Sequence, residues 1–261
     1  MKHIFISIAF FCSFLLGCDD ASSDSFQNTG NLKILLIDSP ASFDSVIIFV
    51  KEVEVHHSGS DSISGWSSIN SNPASFDLIQ LINGASAVLG DSSLPPGDYT
   101  QIRLILNDGN YIIDNGIKHF LTIPSGIQSG IKLNHAFTIQ PNTLYELILD
   151  FEVDKSIHIS GNGEYIMNPV IRVIPLILSG SISGQVIPLD ADASISAIIG
   201  LDTVVTYADS NGFFKLMGLP QETYSVELSP VNQAYKDTVI SNVAVFVDQN
   251  TDIGTIVLQN N

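Results

Sequence analysis

Three acidic side chains recur at every second position in one stretch of the chain: Asp150, Glu152 and Asp154. In a β-strand, residues spaced in this way lie on one face, about 7 Å apart. Three carboxylates, helped by oxygen atoms of a nearby loop, could hold Ca²⁺. The same spacing is typical of the solvated face of a half-buried strand, because the residues between them are apolar. The sequence favours the solvated face and keeps a metal site as the weaker alternative.

The single tryptophan, Trp66, is the candidate for binding a ligand. An exposed indole ring could stack on a sugar. A lone tryptophan in a β-sandwich more often lies in the core, and the core position is favoured here. The adjacent His56 and His57 would point to opposite faces of a strand, so they are poorly placed to share a metal ion. Residues 209–212, Asp-Ser-Asn-Gly, are expected to form a tight hairpin turn, because their spacing differs from that of an EF-hand loop.

No recognised catalytic motif occurs in the sequence. The strings HExxH, CxxC, GxSxG and the P-loop are all absent. Ten Lys and Arg residues stand against 27 Asp and Glu residues, which gives a formal charge of -17. Such a surface repels phosphate backbones, so nucleic acid is not expected as a partner. We therefore expect a non-catalytic protein that needs no cofactor.

The N-terminus predicts export from the cytoplasm. A short basic segment, Met1–His3, precedes an apolar run at Ile4–Leu16. At about 1.5 Å per residue a helix of this length would reach roughly 20 Å, which is too short for a hydrocarbon core of about 30 Å. The pattern therefore indicates a signal peptide at residues 1–17 rather than a transmembrane helix.

The residues Leu15-Leu16-Gly17-Cys18 resemble the lipobox of bacterial lipoproteins. The resemblance implies that the leader is removed before Cys18 and that lipid is attached to its thiol. Several acyl chains would make a durable anchor. Cys12 lies in the leader, so the mature chain would keep no thiol for a disulfide, a metal or catalysis. The expected partner is thus a membrane, and the expected location is the cell envelope, with the outer membrane or cell surface favoured over the inner membrane.

The rest of the chain predicts β-structure. Residues 18–29 are expected to form a flexible tether, because Asp, Ser, Asn and Thr dominate there. Beyond the tether, alternating runs such as Tyr99–Leu106, Ile131–Ile139 and Tyr145–Asp154 predict strands, whereas Ser75–Asn83 fits either a short helix or a strand. We expect an all-β fold of two antiparallel sandwiches, transthyretin-like or Greek-key, at residues 30–178 and 179–261.

Several motifs follow one another in the first unit: Asp38-Ser39-Pro40-Ala41, Trp66, Leu94–Leu104, Ile123–Gly126, Leu149–Phe151 and Asn168–Arg172. Together they resemble the lipoprotein family built on the domain of unknown function numbered 4382. That family has no established activity, so the resemblance implies a fold and a membrane anchor but no reaction.

The second unit carries Gly184, a D-x-x-G-x-F string that begins at Asp209, and a Gly-Leu-Pro turn at residues 218–220 followed by Tyr224. These features resemble the carboxypeptidase-regulatory-like, transthyretin-like domains, although Glu222 stands where those domains have glycine. The resemblance implies carbohydrate binding only by analogy with starch-binding modules of similar fold. A similar Leu-Pro and Tyr turn occurs at residues 94–99, which suggests two related sandwiches.

These observations lead to one expected function and one alternative. We expect a membrane-anchored envelope lipoprotein that acts as a non-catalytic binding module, with a glycan or an envelope protein as its partner. The alternative is a structural spacer, or a fimbria-like adhesion or assembly subunit in which sheet edges pair between chains.

Overall fold

The structure is a computed structural model that describes residues 28–61, 63–124 and 130–261. Its buried hydrophobic side chains form two clusters, one between Leu32 and Met167 and the other between Ile182 and Leu258. Each cluster fills the space between two β-sheets, because a strand with one apolar face must bury that face against another layer. The predicted all-β fold of two sandwiches is confirmed.

The first sandwich is built from a long series of strands and one short helix, α1 (Val153–Ser156). Its strands are β1 (Gly30–Asp38), β2 (Ser45–His57), β3 (Trp66–Asn70), β4 (Ala74–Asp77), β5 (Ala87–Leu94), β6 (Gly97–Leu106), β7 (Tyr111–Asp114), β8 (Ile117–Thr122), β9 (Ile131–Ile139), β10 (Leu144–Phe151), β11 (Ile157–Ile159), β12 (Tyr165–Met167) and β13 (Ile171–Pro175). The stretch that fitted either a helix or a strand contains both: β4 ends at Asp77 and a 3₁₀ turn follows at Leu78–Gln80.

Two sheets enclose the first core. Sheet A has the strand order β13-β10-β1-β5, and sheet B has the order β11-β12-β8-β7-β2-β6-β9, with β3 and β4 also paired to β2. Alternation fixes which side chains enter the core: Leu32, Ile34 and Leu36 of β1 are fully buried there. Their neighbours Lys33 and Leu35 point to the outer face of sheet A.

The second sandwich is smaller. Its strands are β14 (Ser179–Ile187), β15 (Ala193–Ile199), β16 (Asp202–Tyr207), β17 (Phe213–Pro220), β18 (Thr223–Pro230), β19 (Thr238–Ala244) and β20 (Asn250–Val257). Sheet C has the order β17-β14-β20, and sheet D has the order β16-β15-β18-β19. Residues 209–212 form the expected tight turn, in which the N–H of Gly212 donates to the carbonyl of Asp209 at 2.8 Å. The turn joins sheet D to sheet C, so the hairpin expected there is not formed between β16 and β17.

The central strands of the two sandwiches have the same pairing pattern. In sheet A, β1 pairs antiparallel with β5 and parallel with β10; in sheet C, β14 pairs antiparallel with β17 and parallel with β20. The central strands of the facing sheets correspond as well, with β2, β6 and β9 matching β15, β18 and β19. Each sandwich therefore pairs its first strand in parallel with a later one, and the first sandwich also pairs β12 in parallel with β8.

The repeated Leu-Pro and Tyr turn occupies the same place in both sandwiches. The hydroxyl of Tyr99 donates to the carbonyl of Pro95 at 2.9 Å, and that of Tyr224 donates to the carbonyl of Pro220 at 3.0 Å. In both cases the chain passes here from one sheet to the other. A tyrosine that closes such a turn on its own chain is a known device of β-sandwiches. Each bond contributes about 1 kcal/mol to stability.

A second pair of matched hydrogen bonds lies at the start of each sandwich. The N–H of Asn142 donates to the carbonyl of Thr29, and the N–H of Asp248 donates to that of Ser179, both at 2.9 Å. Asn142 and Asp248 also share a left-handed backbone, with φ of 56° and 54°. Asn and Asp tolerate that conformation better than other side-chain-bearing residues. The match strengthens the inference from the sequence that the two sandwiches are related.

The second sandwich covers the outer face of sheet A. A Cβ built on Gly218 would lie 2.9 Å from Cδ1 of Ile174 and 4.0 Å from Cδ1 of Ile148. The side-chain amide of Asn83 accepts from the N–H of Lys215 at 2.5 Å and donates to the carbonyl of Phe213 at 3.0 Å. Asn83 thus satisfies backbone groups of β17, which is one of the two edge strands of sheet C. An edge strand without such partners would be open to pairing with other chains.

Candidate functional site at the domain interface

Four charged residues gather where the outer face of sheet A meets the second sandwich. Asp38 ends β1, Asp150 lies near the end of β10, Glu152 follows that strand, and Arg172 lies on β13. All three acidic residues are more than nine-tenths buried. We call these four residues the interface cluster. Buried charge is costly unless it is paired, so the partners of each carboxylate decide what the cluster can do.

Asp150 is neutralised by an ion pair. Asp150 and Arg172 are directly opposite each other on neighbouring strands, and the Arg172 guanidinium donates to Oδ2 of Asp150. Asp150 is 1 % exposed. Burial raises the pKa of this carboxyl, while the charge and hydrogen bond of Arg172 lower it. The pair forms because the register of β10 and β13 sets the two side chains side by side.

Asp38 has no such cation. Its Oδ1 accepts from the N–H of Val153 at 3.2 Å, whereas its Oδ2 is buried without a hydrogen-bond partner among the described residues. Burial raises the pKa of Asp38 to about 9, and the charges of Asp150 and Asp77 act in the same direction. The desolvated carboxyl group is therefore protonated at neutral pH.

Glu152 and Asp154 differ from the strand pattern predicted for them. β10 ends at Phe151 and the chain turns into α1, so the three acidic residues do not form one column on a strand. Glu152 is buried and contacts Lys155 at 2.7 Å and Nε of Arg172 at 3.6 Å, while Asp154 is exposed on α1. The predicted solvated face is therefore wrong for Asp150 and Glu152, which are both buried, Asp150 beside residues of the second sandwich.

A small cavity lies against the interface cluster. Its volume is about 20 Å³, and its polar lining includes Asp38, Ser39, Asp150 and Thr206. Thr206 comes from β16 of the second sandwich and is 3 % exposed, and its Oγ1 has no hydrogen-bond partner among the described residues. Space of this size holds one water molecule or one ion. No group of three His, Cys, Asp or Glu that could bind a metal occurs within the ranges that the structure covers.

Trp66 lies outside both cores. It is half-buried at the start of β3, opposite His56, and belongs to neither hydrophobic cluster of the described chain. The Arg103 guanidinium carbon lies 4.0 Å from the centre of the indole ring, and Arg103 is held by Glu54 at 2.5 Å. One ring face therefore makes a cation–π contact on the outer face of sheet B. The core position favoured from the sequence is not the one the structure has.

Cys18 and most of the tether at 18–29 lie outside the described residues. In the part of the chain that the structure covers, no helix is both long enough and apolar enough to span a membrane.

Sequence reasoning missed the roles of Asp38 and Arg172. Each occurs in a motif that carried the family resemblance, Asp38 in residues 38–41 and Arg172 in residues 168–172. The structure brings both motifs together with the Leu149–Phe151 motif at the interface cluster. The three motifs together were the signal in the sequence for this site. Their proximity could be recognised only once the pairing of distant strands was known.

Comparison with solved structures finds distant similarity to several proteins, including pilins. The Bacillus anthracis TIE protein is 14% identical, with a TM-score of 0.23, and the alignment covers 89% of this chain but 34% of that one. This chain thus spans about a third of the length of the TIE protein. A shaft pilin, SpaA, from Lactobacillus rhamnosus GG is 11% identical over 89% of this chain and 98% of that one, with a TM-score of 0.28. A minor pilin from Streptococcus agalactiae is 10% identical over 88% and 96%, with a TM-score of 0.24.

Comparison with models of protein families assigns most of the first sandwich to one family. No curated protein matches the chain. A family model described as domain of unknown function, DUF4382, matches residues 29–169. The matched segment contains β1 through β12, and so includes all three acidic residues of the interface cluster. Because the match covers more than half of the 261 residues, the chain belongs to the DUF4382 family.

Proposed function

We propose that this protein is a lipid-anchored structural spacer of the cell envelope, with two sandwiches held as one non-catalytic body. The interface over sheet A carries the proposal. Ile148 is fully buried although it lies outside the first hydrophobic core, and Asn83 bonds the backbone of β17. Apolar and polar contacts of this kind oppose the independent reorientation that a free linker allows between two domains.

The interface predicts that the two sandwiches unfold together. Ile148→Asp would place a carboxylate against Gly218 and should uncouple the domains while leaving both cores intact. We expect one cooperative transition in calorimetry for the unchanged protein and two separate transitions for the variant. Ile177→Asp is the matched control, because Ile177 is 63% exposed in the connection between the sandwiches. Two independent transitions in the unchanged protein would contradict the spacer proposal.

The anchor is a separate part of the proposal, supported by the lipobox-like residues 15–18. Cys18→Ser removes the thiol that would receive the lipid, so the protein should move from the membrane fraction to the soluble envelope fraction. Fractionation with metabolic fatty-acid labelling measures both effects, and protease treatment of intact cells tests exposure at the surface. A variant that stays in the membrane fraction, or unlabelled native protein, would rule out this anchor.

We also propose that residues 179–261 are a carboxypeptidase-regulatory-like domain. The Tyr224 turn and the loop at Asp209 support the assignment, since Asp209 accepts from the N–H of Asn211 at 2.8 Å and of Phe213 at 2.9 Å. Glu222, which replaces the family's glycine, is not among the residues with positive φ. The local turn therefore does not require glycine.

A second candidate function is glycan binding on the outer face of sheet B. Trp66, Arg103, Lys132 and Glu54 offer an aromatic ring beside charged hydrogen-bonding groups, with Nζ of Lys132 6.0 Å from the ring centre. Sugar sites combine an aromatic surface with such groups. We expect saturable retention on a glycan array that Trp66→Ala abolishes and Phe120→Ala, at an exposed aromatic on the same sheet, leaves unchanged. An array without hits would exclude this function.

A further inference from the structure

The interface cavity is lined by oxygen-bearing side chains from both sandwiches. Asp38, Ser39 and Asp150 come from the first sandwich and Thr206 from the second. Carboxylate and hydroxyl oxygens, completed by main-chain carbonyls or water, are the ligands of hard cations such as Ca²⁺. Neither sandwich presents the whole set, so the domain contact itself assembles it.

Two of these side chains have unused hydrogen-bonding capacity. Oδ2 of Asp38 and Oγ1 of Thr206 are buried and have no partner within the described ranges, and both residues line the cavity. Asp38 is 6% exposed and Thr206 is 3% exposed, so bulk water does not satisfy them. A buried polar atom without a protein partner is rare in native proteins, and many such atoms contact an ordered water molecule or an ion.

Asp38 is the acidic side chain of the interface cluster that has no basic partner among the described residues. Arg172 is engaged by Asp150, and Lys155 and Arg172 both contact Glu152. The charged side chains that act on Asp38 are Asp150 and Asp77, both acidic. Lys215 also lines the cavity, and its aliphatic carbons lie against Gly84. Asp150 and Glu152 are thus paired with Arg172 and Lys155, whereas Asp38, which is protonated without a cation, would release its proton on binding one.

We propose that the interface cavity binds one hard cation, Ca²⁺ being the best match, between Asp38, Asp150 and Thr206. The volume of about 20 Å³ admits a single ion. The site would supply two carboxylate ligands, from Asp38 and Asp150. Hydroxyl and main-chain oxygens would complete the coordination of the ion. Because its ligands come from both sandwiches, the ion would join them. This inference does not depend on the spacer proposal, because a site can bind calcium in any envelope protein.

The test uses the detergent-solubilised full chain, stripped with EDTA and returned to CaCl₂, MgCl₂ or NaCl at matched ionic strength. Calcium at about 100-fold above its Kd should raise the Tm by roughly 5–10 °C. Titration calorimetry should give one ion per chain. Asp38→Asn and Thr206→Val should each remove most of the calcium-dependent rise in Tm.

Matched controls lie close to the site. Asp154→Asn changes an exposed carboxylate, and Thr203→Val changes an exposed threonine of the same strand as Thr206. Both controls should keep the full response to calcium. A Tm that calcium does not change, or an equal rise in Asp38→Asn, would overturn the proposal and would instead assign the cavity to a water molecule beside a protonated Asp38. Loss of the calcium response in Ile148→Asp would separately show that the site needs the closed interface.

Discussion

Asp38→Asn should stabilise the protein at neutral pH in calcium-free buffer. The folded state raises the pKa of Asp38 from 3.8 to about 9, so between these values the folded chain holds a proton that the unfolded chain has released. Stability therefore falls as pH rises through this window, by about 1.4 kcal/mol per pH unit. Asn is neutral at every pH and keeps an oxygen for the N–H of Val153. The expected gain at pH 7 is about 3–5 kcal/mol.

Urea unfolding at pH 5, 7 and 9 with EDTA measures this effect. The stabilisation by Asp38→Asn should be smallest at pH 5, on the order of 1–2 kcal/mol, and grow towards pH 9. Burial also raises the pKa of Asp150, so both carboxyl groups contribute to the pH dependence of stability in the unchanged protein. The difference in stability between the unchanged protein and Asp38→Asn isolates the contribution of Asp38. Asp154→Asn, at an exposed carboxylate, should change stability by less than about 0.5 kcal/mol. A variant less stable than the parent at pH 7 would show that Asp38 is ionised and paired.

Arg172→Leu should destabilise the protein by about 3–5 kcal/mol. The change keeps much of the apolar contact of the side chain but leaves Asp150, which is 1% exposed, without its cation. Breaking a buried ion pair from one side strands the other charge, and that desolvated charge accounts for most of the loss. Denaturant unfolding at pH 7 is the measurement.

The Lys33–Glu146 pair provides the control on the same face of sheet A. Their side chains are 30% and 26% exposed and 3.0 Å apart, so Lys33→Leu should cost no more than about 1 kcal/mol. Adding Asp150→Asn to Arg172→Leu should recover most of the lost stability, because the stranded charge is then removed. Equal effects of Arg172→Leu and Lys33→Leu would show that the Asp150 pair is effectively solvated.

Local pattern was sufficient for several of the strands. Ile131–Ile139 was predicted with the bounds that β9 has, and the alternating run Tyr99–Leu106 lies within β6, whose Ile102 and Leu104 are in the first core. The repeated Leu-Pro and Tyr turn was recognised from the sequence, and in both sandwiches the tyrosine hydroxyl donates to the proline carbonyl. These features depend on neighbours within a few residues, which the sequence displays directly.

The interface cluster could not be predicted in the same way. Alternation along β10 separates two faces, but it does not reveal that residues beyond 200 in the chain cover one of them. Trp66 shows the same limit, since its position beside Arg103 follows from the pairing of β2 with β3 and β6. Whether a polar face is solvated or buried depends on which layer lies over it.

The amino-acid sequence by itself determined the all-β class, the family and the acidic character of the chain, because periodicity, motifs and composition are properties of short segments. Only the tertiary structure decided that Asp38, Asp150 and Glu152 are buried and that Arg172 and Thr206 lie beside them. The physical reason is that desolvation is set by contact between segments far apart in the chain, and such contact turns exposed carboxylates into buried ones that need a cation or a proton.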